Sequence, residues 1–245
     1  MPVVYKKYGE IVEITEFEKE VSGKVRVHHS QKRDDIHRPR RSDNIRRTKQ
    51  ICLRRVHAAL EDYGSPLLAT FTFAGDASDA SYANDSLRDF QVRLRTKFLG
   101  AQSLFIPELS RRGRIHFHGL LFNVPLHLGD TRAGRRRLQD GTERQTRTLA
   151  KLWGEGFVDV LKTDGSPALA GYISKYITKG AGEVMFNAMR LLRTSHGFPK
   201  EIVVRGEFAE LLRDRYAEQE PFKEWSGDNM FLGKMTRKTY IKKKL

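Results

Sequence analysis

Polar and apolar positions alternate in EIVEITEFE (10–18) and KVRVH (24–28), the two-residue period of half-buried strands. Further on the period lengthens. Ile45, Ile51, Val56 and Leu60 form an imperfect apolar helix face, which Ser42 or Asp43 can cap and Gly64-Ser65-Pro66 ends near Tyr63. LLATFTFA (67–74) reads as a strand, and Leu87, Phe90, Leu94 and Phe98 mark a helix over 84–99, closed by Gly100. Two short strands follow, 103–109 and 114–122, joined by the hairpin-type turn Ser110-Arg111-Arg112-Gly113. After a basic loop at 130–142 come a helix ending near Trp153, a strand at 156–163 and a helix at 167–179 stopped by Gly180. Weaker patterns give a strand at 202–204 and a helix at 207–217.

Strands and helices interleave, yet neighbouring strands are hairpin-like, which predicts an α+β fold with a largely antiparallel sheet. No repeat at periods of 20–50 residues is visible, nor any convincing linker. The expected organisation is one domain in four stretches: an N-terminal extension with a basic helix packed on the core (1–66), a core (67–180), a helical extension (181–233) and a basic tail (234–245).

Composition narrows the function. The 245 residues are 39% hydrophobic and 10% aromatic, enough to bury a core. Their net charge is +15. Residues 31–55 hold ten Lys/Arg against three Asp, 130–151 seven against three acids, and 234–245 six with no acid. Clusters around a near-neutral body favour a polyanion, although runs such as Lys242-Lys243-Lys244 also serve as solvated ends. A single cysteine, Cys52, excludes an internal disulfide framework and a Cys-rich zinc module, and its place on an amphipathic helix predicts burial. No apolar run approaches a membrane span and MPVVYKKYGE lacks a signal-peptide core, so the expectation is a soluble protein of a reducing compartment, with no membrane partner. Gly233-Lys234-Met235-Thr236 has Met where a phosphate-binding loop needs Ser or Thr after Lys, so no ATP site is expected.

The sharpest chemistry lies in IHFHGLLF (115–122). On a strand His116 and His118 share a face while Phe117 points away, and two neutral imidazoles on one face suit a divalent metal. By itself the pair reads more readily as two ordinary surface histidines. Folding the hairpin returns Glu108 to their side, and two His with one carboxylate leave positions open for catalysis. Paired with Arg111 or Arg112 instead, Glu108 would be a plain strand-end carboxylate. On the 167–179 helix Tyr172 and Tyr176 stand at i and i+4, with Lys175 and Lys179 repeating that spacing beside them. The bland alternative is an amphipathic helix with Tyr half-buried and Lys outside. A phenol attacks phosphorus competently if cations stabilise its phenolate.

LLATFTFA, PELSRRGRIHFHGLLF and YISKYITKG, in that order, resemble the three motifs of HUH-family rolling-circle replication initiators. The Tyr-x-x-Lys-Tyr-x-x-Lys pattern is similar to the gene A replication proteins of small icosahedral single-stranded DNA phages. The resemblance covers about 67–180. It implies a five-stranded antiparallel sheet of the ferredoxin/RRM-like type, whose central strand carries the histidines beneath the two-tyrosine helix. It further implies His116, His118 and Glu108 as ligands of Mg²⁺ or Mn²⁺, Tyr172 and Tyr176 as nucleophiles, and Lys175 as an accessory cation. The implied activity is nicking and joining of single-stranded or extruded origin DNA through a 5′-phosphotyrosine, in the cytoplasm of a host supplying helicase and polymerase. Arg111, Arg112, Arg114, Arg135, Arg136, Arg137 and Lys179 are the expected DNA contacts. Two other readings stay open: a related relaxase or single-strand transposase, for which Tyr5 and Tyr8 offer an N-terminal tyrosine, and a non-catalytic nucleic-acid-binding protein.

Overall fold

A computed structural model describes residues 1–19, 42–75, 78–110, 112–127, 130–132, 148–181, 189–229 and 232–242. The expected strand at 24–28 lies outside these residues, as do Arg111, Arg135, Arg136, Arg137, residues 31–41 of the 31–55 basic cluster and residues 133–147 of the 130–151 cluster. In chain order the elements are β1 (Val3–Tyr8), β2 (Ile11–Phe17), α1 (Ser42–Tyr63), β3 (Leu67–Phe73), α2 (Ala80–Lys97), β4 (Gln102–Leu109) and β5 (Ile115–Phe122). There follow α3 (Thr148–Trp153), β6 (Gly156–Lys162), α4 (Ala168–Ala181), β7 (Arg193–Thr194), β8 (Ile202–Arg205), α5 (Glu207–Asp214), β9 (Lys223–Asn229) and β10 (Gly233–Ile241). They form two five-stranded antiparallel sheets, and the fold is α+β. Two compact units result, one of residues 34–199 and one of residues 1–33 with 200–245.

The 34–199 unit is built on the sheet β6-β3-β5-β4-β7, in which β5 is central. Alternation decides which face is apolar: Leu67, Ala69, Phe71 and Phe73 are buried, while Leu68, Thr70 and Thr72 between them are only half-buried. On the buried face, α2 and α3 deliver Phe90 and Trp153 to Phe71, with ring centres 4.7 and 5.5 Å away. Phe105 closes the same cluster edge-on to Phe71 at 5.4 Å. It does so by lying across Gly119, where a Cβ would come within 2.4 Å of its ring. On the other face α4 packs over β4 and against α1, whose Tyr63 meets Phe122. Cys52 of α1 is buried as its position predicts, and burial pushes its thiol up to about 12.

The other unit corrects the expected helical extension and basic tail. Among the described residues of 202–241 there are one short helix and three strands, and the sheet order is β8-β1-β2-β10-β9. Residues 234–241 of the expected tail belong to β10, which pairs with β2 and β9. Val3, Tyr5, Val12, Ile14, Ala209 and Tyr240 form its core, with the ring of Tyr216 between Tyr5 and Tyr240. Charge hid the strand: Lys234 and Lys238 stand on the same face as the buried Tyr240, so that face shows no apolar alternation.

Candidate active site

β4 and β5 pair so that Glu108 stands directly opposite His116. His118, two residues on, shares that face. β3 runs along the other side of β5, setting Thr72 opposite His116 and Thr70 opposite His118. The hydroxyl oxygen of Thr72 lies 3.0 Å from His116 Nδ1, and that of Thr70 lies 3.3 Å from His118 Nδ1. Each ring is thereby anchored at Nδ1, which directs Nε2 away from the strand. Burial, the largest cause, lowers both imidazoles below the ordinary histidine value, so both are neutral at neutral pH. For His118 the opposing pull of Glu108 is the weaker effect.

Glu108 is not a plain strand-end carboxylate. One oxygen lies 2.6 Å from His118 Nε2, and the other accepts from Lys179 Nζ at 3.0 Å. Lys179, expected among the DNA contacts, therefore reaches into the site from α4. Arg112 and Arg114, beside the turn closed by Ser110 and Gly113, are exposed.

α4 crosses the histidine strand by its apolar side, burying Ile173 and Ile177. Consequently Tyr176 lies flat on His118, with centroids 3.8 Å apart and an 18° angle between planes. Tyr172, one turn earlier, touches Tyr176 through the hydroxyls at 2.9 Å. The two phenols are unequal. Tyr172 is 44% exposed. Tyr176 is half-buried, and burial first, then Tyr172 and Glu108, raises its phenol above the ordinary tyrosine value. Lys179 Nζ stands 5.2 Å from the Tyr176 ring centre, a cation over its ring. Lys175 is exposed on the same helix.

His116, His118 and Glu108 fit a divalent ion by donor chemistry and by backbone placement. Two imidazoles anchored at Nδ1 offer Nε2, and a carboxylate stands across the ladder. With both oxygens of Glu108 engaged by His118 and Lys179, no group of three His, Cys, Asp or Glu among the described residues is assembled to hold one. Closing that set requires the Glu108 side chain to turn.

Two kinds of site residue escaped the sequence reading. Thr70 and Thr72 were legible only as alternate positions of a strand; their partners depend on the β3–β5 register. Phe157 of β6 was the other. It pairs with Thr72, so Glu108, His116, Thr72 and Phe157 form one row across four strands. Phe157 is 60% exposed, because α4 covers β4 and leaves β6 open.

Compared with known proteins, the chain matches no curated protein and no solved structure. Its residues 66–181 match the model of the family of replication-associated protein ORF2/G2P, a stretch holding every residue just described. Over β3 to α4, this chain is therefore similar to replication-associated proteins of the ORF2/G2P family.

Proposed function

We propose that this chain is a metal-dependent DNA nicking-and-joining enzyme that initiates, and also terminates, rolling-circle replication of a phage or plasmid. The observation that carries this is the stack of Tyr176 on His118, which brings a two-tyrosine helix onto a two-histidine strand. The similarity of 66–181 to replication-associated proteins supports the biological setting.

His116, His118 and Glu108 would hold Mg²⁺ or Mn²⁺, which supplies charge neutralisation at the scissile phosphate. The rest is done by side chains. A tyrosine oxygen attacks phosphorus, a P–O(Tyr) bond forms, and the bond to the 3′ oxygen breaks, leaving a 3′-OH and a 5′-phosphotyrosine. One phosphodiester is exchanged for another, so no ATP is consumed. Tyr172, the more exposed phenol, makes the first cut. Tyr176, next to Lys179, cuts the regenerated origin while Tyr172 still holds the old 5′ end. The released 3′-OH then attacks the first phosphotyrosine and closes the circle. Phe157 offers a stacking surface to a base of the single strand beside this row, and Arg112 and Arg114 hold backbone phosphates. A host helicase and polymerase, in the host cytoplasm, would extend the 3′-OH.

The relaxase reading, which needs Tyr5 or Tyr8 as nucleophile, is disfavoured by their burial on β1. A non-catalytic DNA-binding protein remains the second reading, and metal dependence separates it from the first. With single-stranded origin DNA, EDTA is expected to abolish nicking, and His116→Ala or His118→Ala to lower it at least about tenfold with DNA binding kept. Nicking by the double histidine variant in EDTA would remove the site.

A further inference from the structure

We propose that the β9–β10 edge of the terminal unit carries a separate site on which bases of single-stranded DNA stack, centred on Trp225. Register divides the charges of this edge between its two faces. Glu224 pairs with Lys238 and Asp228 with Lys234, on the face that carries Tyr240 and the core. Lys223, Trp225 and Gly227 pair with Thr239, Arg237 and Met235 on the opposite face. The acids of β9 thus meet lysines on one side. The side bearing Trp225 keeps Lys223 and Arg237 opposite uncharged partners.

Trp225 is 47% exposed, a large apolar area for a surface strand. Its indole rests on Gly227, where a Cβ would come within 2.6 Å of the ring. A residue without a side chain therefore lets the ring lie close over position 227 with nearly half of the side chain still exposed. The Arg237 guanidinium lies 5.9 Å from the ring centre, steadied by a 3.4 Å bond from its Nε to the Thr15 hydroxyl. A fixed aromatic plane with two cations suits a base attached to a phosphate; no acid stands opposite them in the β9–β10 pair, and the nearest acid of this face in β2, Glu13, is buried opposite Thr239. Duplex DNA keeps its base faces stacked inside, so the occupant is a single strand. The site lies outside residues 66–181, and it rests on the proposed function only in that the chain works on single-stranded DNA.

The chain has two tryptophans, and Trp153 is fully buried, so a base reaching an indole reports on Trp225. The full chain is titrated with a short oligo(dT) in EDTA, where no nicking is needed. Emission is expected to fall at saturation, and that fall to vanish in Trp225→Phe. Trp225→Ala should bind about fivefold or more weakly, from the worth of one stacked base. An abasic strand of equal length should bind the wild type and Trp225→Ala alike, without quenching. Circular dichroism and Trp153 emission verify that each variant is folded. Undiminished wild-type emission at saturation, or oligo(dT) affinity unchanged in Trp225→Ala, overturns the site. Quenching by a chain that forms no DNA adduct in Mn²⁺ keeps this site and removes the nicking reaction; the reverse result removes only this site.

Discussion

Thr70 and Thr72 contribute nothing to the core, yet each holds one imidazole at Nδ1. Such partners fix the ring's tautomer and direction, and their loss from a metal centre costs roughly 10- to 100-fold in affinity. Thr72→Val and Thr70→Val keep shape and branching while removing the hydroxyl. Each is expected to raise the Mn²⁺ concentration for half-maximal nicking by about that factor, leaving oligonucleotide binding in EDTA unchanged. An unaltered Mn²⁺ requirement would mean that the threonines do not orient the ligands. Gly119 makes a different point at the same scale. Phe105 fills the space where its Cβ would be, and a fully buried ring has no room to retreat. Gly119→Ala should therefore lose about 1–3 kcal/mol in urea unfolding, the usual cost of overpacking.

At the scale of elements, α3 is too short to be stable alone and depends on its cap. The buried carboxylate of Asp130 accepts from the backbone N–H groups of Leu149 and Ala150, at 2.9 and 3.2 Å. The helix so held carries Trp153, which packs on Phe71, Phe73, Phe90 and Phe117. Asp130→Ala is expected to lower stability by about 1–2 kcal/mol, with a shift in Trp153 emission before global unfolding. Why some elements were legible in the sequence and others were not follows from burial. β3 and α2 each bury one side, so alternation in LLATFTFA and the Leu87–Phe90–Leu94 spacing reveal them. β9 exposes nearly every residue of KEWSGDN and carries no period at all. The Glu108–His116 pairing was readable because the turn between the strands is short. The Thr72–His116 pairing was not, because β3 and β5 are separated by a helix and another strand.

For the whole molecule, sequence order misled in one respect: the two ends of the chain meet in one sheet, and no local pattern announces a partner some 200 residues away. Charge was more transparent. The net +15 is concentrated in a few stretches and should be felt as counterion release. For about five phosphates contacted, log K against log[salt] on single strands should slope near −3.5. A flat response would make the basic clusters solubilising only. The central claim, that two tyrosines on one helix are DNA nucleophiles, has a direct test. Single-stranded origin DNA labelled at its 3′ end is incubated with Mn²⁺ and each chain, then run on a denaturing gel. Phe keeps ring packing and removes only the hydroxyl, so Tyr172→Phe and Tyr176→Phe should each retain some protein-linked label, with Tyr172→Phe the weaker. The double variant should show none. Protein-linked label undiminished in the double variant, or cut DNA with no linked protein in the wild type, would contradict the account.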